Sequence, residues 1–456
     1  MNADPREVIA NSSMTRLQII VVAITIGLNA LDGFDVLSIS FASPGIADEW
    51  GIDRAALGIV LSMELIGMAI GSVLLGGLAD RIGRRPTILG CLAVMTVGMF
   101  MATTVKSIVD LSIWRVITGL GIGGMLAAIN AVAAEFSNAK RRHLSVSIMA
   151  IGYPVGAVIG GIIAGQLLKV YDWRSVFYFG TAVTAAFIPL VYFMVPESVH
   201  WLARRQPAGA LEKIKRTLAR MGHTVAVALP TVSAENRKRS WTDIFSPNLV
   251  AITLILTAAY FFHITTFYFV LKWVPKIVVD MGFAASAAAG VLVWANVGGA
   301  LGGAVLGLLT QKFSVRALTI TVMLLSAVMV TVFGRTSPDL QLVALICAIA
   351  GFCSNAGIVG MYAIFAQGFP THARASGTGF AIGIGRGGSV LAPIIAGFLF
   401  EGGVALPWVA AIMGLGSLIA AGLLMLLKLR PDHAESGQAP TGHDEAPELK
   451  GATATS

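Results

Sequence analysis

Long apolar segments recur almost from one end of the chain to the other, separated by short polar loops. Each is about 20 residues long, the length that an α-helix needs to cross about 30 Å of hydrocarbon at 1.5 Å per residue. Twelve such segments are present, so the pattern predicts an all-α integral membrane protein with twelve transmembrane helices. They begin near Leu17, Ala55, Thr87, Val109, Leu144, Val176, Leu249, Ala285, Ala317, Leu340, Ser376 and Val404.

Polar stretches divide the predicted spans into domains. The longest internal one separates the sixth span from the seventh, and the final stretch is rich in Gly, Pro, Ala and Glu, which is typical of disorder. The first apolar run lacks a small-residue cleavage site and is interpreted as an uncleaved span. We predict an N-terminal six-helix bundle over 1–200, a cytoplasmic linker over 201–247, a C-terminal bundle over 248–430 and a disordered cytoplasmic tail over 431–456.

Lys and Arg are distributed unevenly between the two sets of loops. Twenty-three lie on the side that holds the N-terminus, against seven on the opposite side: Arg54, Lys106, Lys169, Arg174, Lys272, Lys276 and Arg335. Loops with the excess of positive charge face the cytoplasm. This predicts a multi-pass protein of the cell inner membrane with both termini in the cytoplasm.

Composition excludes the soluble classes. The chain is 56% hydrophobic and only 12% charged, whereas soluble domains average about 25% charged residues. A net charge of +8 would suit nucleic acid, but the basic residues lie in loops between spans. The three cysteines lie inside apolar runs without metal-ligand spacing, and no GxxxxGK[ST] phosphate loop occurs. We expect a transporter, not an enzyme, with no cofactor, metal, nucleotide or nucleic-acid partner.

A weak internal repeat divides the chain into halves of equal orientation. GGLADRIGRR from Gly76 aligns with GLLTQKFSVR from Gly307, displaced by 231 residues. Phe136, Arg141 and Gly152 recur as Phe369, Arg374 and Gly385, with a displacement of 233 for each. Two parallel six-helix halves imply a substrate cavity between them.

Charged residues inside spans are the first candidates for function, because each costs about 2.5 to 3.5 kcal/mol to insert. Asp32 and Asp35 lie on neighbouring faces of one turn, where each carboxylate disfavours ionisation of the other. A proton carrier needs such a pair. With Arg115 and Glu64 they form the predicted proton-coupling group, and their depths are compatible with an ion pair between Arg115 and one aspartate.

Arg386 is the leading candidate for substrate binding. It lies about 16 Å into the eleventh span, near the midplane, and a guanidinium keeps its charge and grips a carboxylate at two points. An internal pair with Glu64 or Asp32 is the structural alternative. The predicted substrate-binding residues are Arg386, His263, Asn296, Tyr362 and Tyr268.

The other members of this predicted site have structural alternatives too. His263 is the repeat counterpart of Asp32 and lies in an aromatic cluster, of which one or two rings could stack on a planar ligand. Most of that cluster also fits a lipid-facing or interfacial role. Asn296 and Tyr362 are equally typical of hydrogen bonds between helices.

Three motifs resemble the major facilitator superfamily: GGLADRIGRRP from Gly76, RVITGLGIGG from Arg115 and PESVHWL from Pro196. The resemblance covers essentially the whole chain. It implies that the first motif clasps neighbouring helix ends and stabilises one transport conformation. The corresponding gating residues are Gly76, Asp80, Arg81, Gly83 and Arg84. A plain positive-inside signal would explain the arginines but not Asp80 and the glycines.

Within that superfamily, LDGFD (Leu31 to Asp35) with GRGGSVLAP (Gly385 to Pro393) resembles the aromatic acid:proton symporter family. The resemblance implies proton-coupled import of an aromatic carboxylate that resembles hydroxybenzoate, by alternating access. Asp32 and Asp35 would be the coupling carboxylates, and Arg386 a substrate or coupling charge. GYPVGAVIGG from Gly152 resembles the antiporter motif of drug exporters, so export, symport of another small organic anion and a non-transporting sensor stay open as alternatives.

Overall fold

The computed structural model describes residues 4–223, 228–229, 244–247, 249–370 and 373–427. The predicted tail over 431–456, and the linker positions 224–227 and 230–243, lie outside the described residues. Within these ranges the chain forms fifteen α-helices. They are α1 (Pro5–Asn11), α2 (Arg16–Trp50), α3 (Arg54–Ile82), α4 (Arg84–Ala102), α5 (Ile108–Glu135), α6 (Arg142–Leu167), α7 (Arg174–Met194), α8 (Val199–Arg205), α9 (Ala210–Arg220), α10 (Val250–Asp280), α11 (Ala285–Leu309), α12 (Val315–Phe333), α13 (Leu340–Gly368), α14 (Arg374–Glu401) and α15 (Leu406–Leu426).

Twelve of these helices are long and apolar enough to span a membrane, which confirms the predicted fold class. They are α2 to α7, the first half, and α10 to α15, the second half. Apolar side chains on the surface of these helices need no aqueous solvation in lipid, and the backbone hydrogen bonds are satisfied within each helix. The chain is therefore a multi-pass membrane protein.

Two short helices fold the start of the predicted linker onto the first half. Trp201 of α8, and Ile214 and Leu218 of α9, belong to the same buried cluster as Ile129 of α5. The polar faces of α8 and α9 carry most of their charge, so the sequence resembles a solvated linker although one face is buried. We call the end of the bundle at which α8 and α9 lie the linker end, and the opposite end the far end.

The two halves repeat one packing pattern. In the first half α2 packs on α6, α3 on α5 and α4 on α7; in the second half α10 packs on α14, α11 on α13 and α12 on α15. Across the halves, α3 packs on α14, α6 on α11 and α2 on α10. These three contacts obey the same repeat, because each pairs one helix with the counterpart of another. The seam between the halves is therefore the place where a substrate pathway is expected.

The seam is closed at the far end. Arg54 of α3 pairs with Asp280 of α10 at 3.0 Å, and its backbone N–H donates to Glu401 of α14 at 3.2 Å. Nearer the middle of the bundle, the Ser62 hydroxyl donates to the Val390 carbonyl at 2.7 Å. Among the described residues, the hydrogen bonds and ion pairs that join the halves lie between the middle of the bundle and the far end.

A glycine contact permits this closure. A Cβ atom on Gly58 of α3 would lie 2.4 Å from the Pro393 carbonyl oxygen and 3.2 Å from the Cα of Gly397 on α14. A contact of 2.4 Å is sterically forbidden, so the two backbones approach this closely because neither Gly58 nor Gly397 has a side chain.

Candidate functional site

A fully buried ion pair lies in the first half. Glu64 of α3 pairs with Arg115 of α5, and the side chains of both residues have no exposed surface. Arg115 also donates to the backbone carbonyl of Asp35 at 3.0 Å and to the sulfur of Met99 at 3.1 Å. Its guanidinium lies 5.3 Å from the centre of the Phe177 ring, a cation–π distance.

The expected ion pair between Arg115 and an aspartate is not the one that forms. α3 packs along α5, which brings Glu64 to the guanidinium, whereas Arg115 reaches Asp35 only through its main chain. The carboxylates of Asp32 and Asp35 are buried and have no hydrogen-bond partner among the described residues. An ionised carboxylate without donors is strongly disfavoured in apolar surroundings.

Lys272 is a functional candidate that the sequence pattern placed in a far-side loop. The structure places it inside α10, about 12 Å from the far end of the helix at 1.5 Å per residue, and fully buried. Its ammonium donates to the backbone carbonyl of Val36 and lies 3.7 Å from Glu64. α10 continues through Pro275, a residue that normally marks a helix boundary, although the apolar run beyond that proline was a signal for continuation.

Tyrosines connect this cluster to the second half. The hydroxyl of Tyr153 on α6 is buried and has no hydrogen-bond partner among the described residues. Charges on Asp32 and Glu64 act on it from one side, and Tyr268 of α10 acts on it from the other. Polar groups therefore continue from the acidic cluster of the first half across the seam.

Arg386 of α14 lies on the second-half side of this connection. Its guanidinium is half-buried and makes no ion pair or side-chain hydrogen bond within the described part of the chain. The predicted alternative partner Glu64 is paired with Arg115 and lies 3.7 Å from Lys272. The charge of Arg386 acts on the hydroxyls of Tyr260 and Tyr268.

Tyr260 is a site neighbour that the prediction did not single out. Its hydroxyl lies 3.3 Å from that of Tyr362, a half-exposed residue of α13. A Cβ atom on Gly385, the residue before Arg386, would lie 2.3 Å from the Tyr260 ring, so the helix carrying Arg386 lies directly against this ring. A cation flanked by aromatic faces and hydroxyl groups can hold a planar anion.

The structure places His263 and Asn296 apart from Arg386. His263 is fully buried, with Nδ1 2.9 Å from the Ser417 hydroxyl and Nε2 2.8 Å from the Ser354 carbonyl. Asn296 donates to the Leu292 carbonyl at 2.9 Å. It lines a cavity of about 50 Å³ together with Tyr153, Phe267, Gly299 and Asn355. Tyr153 is thus shared between this cavity and the acidic cluster.

The loop motif forms a charged cluster at the linker end, within the first half. Arg84 donates to Asp80 at 2.8 Å and pairs with Glu135 of α5 at 3.0 Å. Arg204 of α8 also donates to Asp80, at 2.9 Å. The cluster therefore ties the ends of α3, α4, α5 and α8 together. Arg81 is exposed and makes no hydrogen bond or ion pair within the described ranges.

Two residues complete this cluster around Gly83. Gly83 has φ +113°, and a Cβ atom there would lie 2.2 Å from Glu197 Oε2, so the position requires glycine for both reasons. Burial raises the pKa of Glu197 above its ordinary value, although the backbone N–H groups of Ser198, Arg84 and Arg85 oppose the shift. Gly76, by contrast, has only Ala127 near its missing Cβ, at 3.4 Å. The roles of Glu135, Glu197 and Arg204 had no local signal in the sequence.

Comparison with known proteins identifies the relatives of this chain. The sequence profile described as Major Facilitator Superfamily matches residues 25–304 and 283–454. The chain is 28% identical to the gallate transporter of Pseudomonas putida, over 92% of this chain and 93% of that protein. It is 29% identical to the 4-hydroxybenzoate transporter PcaK of Pseudomonas putida, over 85% and 87%. It is 28% identical to the 3-(3-hydroxy-phenyl)propionate transporter of Escherichia coli (strain K12), over 92% and 96%.

A solved structure agrees with the fold. The inward open conformation of the xylose transporter XylE from E. coli superposes with a TM-score of 0.68, covering 92% of this chain and 98% of that one. The two sequences are 18% identical, so the likeness concerns the arrangement of the helices.

Proposed function

The chain belongs to the Major Facilitator Superfamily, a family of transporters and not of enzymes, and on this premise we propose that it imports an aromatic carboxylate together with protons. The cargo is a planar ring that carries a carboxylate and one or more hydroxyl groups, as in hydroxybenzoate. Transport proceeds by alternating access, with the two halves rocking about the seam.

One observation carries the proton coupling: Asp32 and Asp35 are buried carboxyl groups without donors, beside an ion pair that Lys272 connects to the other half. A change in their ionisation alters the electrostatic energy of the cluster, and the cluster touches the surface along which the halves move. Protonation and opening are therefore coupled through the same contacts. Glu64 and Arg115 fix the geometry in which the two aspartates titrate.

The substrate side of the proposal rests on Arg386. It is an unpaired cation, half-buried near the middle of the bundle, with tyrosine hydroxyls in electrostatic reach. A carboxylate would supply the missing countercharge, and the rings of Tyr268 and Tyr362 would flank an aromatic ring. The three named relatives carry aromatic acids by their printed names. His263 and Asn296 would act at one remove, through the serines and through the cavity beside Tyr153.

The linker-end cluster is proposed as a clasp that stabilises the conformation closed at the far end. Asp80 and Arg84 hold the end of α3 to α4, α5 and α8, so opening of the linker end of the first half has a fixed starting point. Gly83 provides the turn, whereas Arg81 contributes charge at the membrane surface. The excess of Lys and Arg at this end supports a cytoplasmic location of both termini in the inner membrane.

Uptake of radiolabelled 4-hydroxybenzoate by the purified protein in liposomes tests the proposal. An imposed proton gradient, acidic on the side of entry, should drive accumulation above equilibrium, and collapse of the gradient with a protonophore should release the label. Accumulation driven by the opposite gradient would identify an exporter. Saturable binding without accumulation under either gradient would identify a sensor and would contradict transport.

A further inference from the structure

Lys272 carries a buried positive charge from the second half onto the first. Both of its described contacts cross the seam: the Val36 carbonyl on α2 and the Glu64 carboxylate on α3. Its neighbour Trp273 instead donates to the Pro393 carbonyl of its own half, at 3.1 Å. When the far end opens, Lys272 must move with the second half and leave Glu64.

We infer that Lys272 is a mobile countercharge, whose seating at Glu64 and withdrawal from it couple closure of the far end to proton release and opening to proton uptake. This inference rests on the proposed proton coupling and names the residue that carries it. With the far end closed, three carboxyl groups share two cations, Arg115 and Lys272. With the far end open, the same three share only Arg115.

The sign follows from electrostatics. A nearby cation favours the ionised form of a carboxyl group, and a nearby anion favours the protonated form. Withdrawal of Lys272 leaves the cluster of Asp32, Asp35 and Glu64 with an additional uncompensated negative charge, so the open state binds a proton more tightly. By linkage, acidification shifts the protein toward the state that is open at the far end.

Other groups that face the cluster do not replace this charge. They are Cys91 on α4, Tyr153 on α6 and Tyr268 on α10, while Met99 on α4 and Phe177 on α7 are its non-titrating neighbours. Thiol and phenol groups are neutral near pH 7. The charge of Arg386 acts on Tyr268, one step further away.

The other ion pair across the seam is a poor candidate for this role. Arg54 and Asp280 lie at the far end with 43% and 31% of their side chains exposed. Water and salt screen such a pair. Its formation therefore changes little at the buried carboxylates, whereas Lys272 acts inside the low-dielectric cluster, where charge interactions are stronger.

A reporter cysteine at Ala289 tests the inference without substrate or gradient. Ala289 of α11 is fully buried, and a Cβ on Gly165 of α6 would lie 3.6 Å from its Cβ, so opening of the far end uncovers this position. The Ala289→Cys protein in nanodiscs is labelled with a maleimide between pH 5.5 and 8. Rates are divided by those of the unfolded protein at each pH, and protein without the reporter gives the background.

We expect normalised labelling to rise severalfold from pH 8 to pH 5.5, the size of a typical coupling of about 1 to 3 kcal/mol. Lys272→Met should make labelling independent of pH. Lys276→Met is the matched control, one turn further along α10, because Lys276 pairs with Asp280 of its own helix. This control should keep the pH dependence of the parent.

Two results would overturn the inference: no pH dependence in the parent, or an undiminished dependence in Lys272→Met. If Lys272→Met is unstable, the double variant Lys272→Met/Glu64→Gln removes both partners and should fold, since loss of a whole buried pair is tolerated better than loss of one member. It too must be independent of pH. Failure of uptake in liposomes would reject the proposed transport cycle and leave the labelling result standing, so the two failures are distinguishable.

Discussion

Arg115 and Glu64 form an ion pair between α5 and α3 that solvent does not reach from any side. Removal of one partner leaves an uncompensated buried charge, which costs about 3 to 5 kcal/mol. We therefore expect Glu64→Gln or Arg115→Met to lower the thermal midpoint of the purified protein by several degrees. The double variant Glu64→Met/Arg115→Met should recover most of the loss.

The matched control for this pair is Glu212→Gln on α9. Glu212 pairs with Lys215 at 3.3 Å, but its side chain is 76% exposed, and exposed pairs contribute about 0 to 1 kcal/mol. Its midpoint should be that of the parent. Single variants of Glu64 and Arg115 that unfold together with the control would show that the buried pair contributes no stability.

Asp32→Asn and Asp35→Asn should each abolish accumulation driven by a proton gradient, because an amide keeps the shape of the carboxyl group but cannot exchange a proton. Substrate counterflow, which needs no net proton movement, should persist in at least one of them. Asp110→Asn at the exposed start of α5 is the control and should accumulate normally. Parental accumulation in both variants would remove the two aspartates from the mechanism.

Arg386→Lys should weaken binding of the aromatic acid about tenfold to thirtyfold, or about 1.4 to 2 kcal/mol, because an ammonium cannot form the two-point contact with a carboxylate. Arg386→Ala should weaken it further. Arg335→Lys, at an exposed position, is the control. Calorimetric titration of folded protein provides the measurement, and an unchanged dissociation constant in Arg386→Lys would move the anion site elsewhere.

Gly58→Val should prevent closure of the far end, since even the first carbon of its side chain would lie 2.4 Å from the Pro393 carbonyl. Overpacking of about 1 to 3 kcal/mol shifts the population roughly fivefold to a hundredfold toward the open state. Labelling of the Ala289→Cys reporter should rise accordingly. Gly77→Val on the same helix meets nothing within 4 Å and should label as the parent does. Equal rates in the two valine variants would refute the role of this contact.

Glu197 predicts a pH dependence of stability at the linker end. Burial raises the pKa of its carboxyl group from the ordinary 4.5, so the folded state binds this proton more tightly than the unfolded state. The resulting stability is fully present below pH 4.5 and is lost as the pH rises through the pKa of the folded state. The thermal midpoint of the parent, relative to that of Glu197→Gln, should therefore fall as the pH rises above 4.5. A relative midpoint that rises over that range would contradict the prediction.

Interactions within one stretch of chain were predictable from the sequence. The twelve spans follow from the match between apolar run length and bilayer thickness, and the structure confirms them. Asp32, Asp35, Glu64, Arg115 and Arg386 stood out because an ionisable residue in an apolar run is costly wherever it lies. The division into halves followed from a repeat, which is also a property of the sequence alone.

Partner choice was decided only by the tertiary structure. Helix rotation and depth brought Arg115 to Glu64 and not to an aspartate carboxylate, joined Asp80 to Arg204 across 124 positions, and enclosed His263 between two serines. Lys272 shows the limit most clearly, because its position near Pro275 indicated a loop while the packing of α10 on α2 buried its charge. The sequence sets which residues must avoid lipid, since that cost is local; which of them meet depends on contacts between helices distant in the chain.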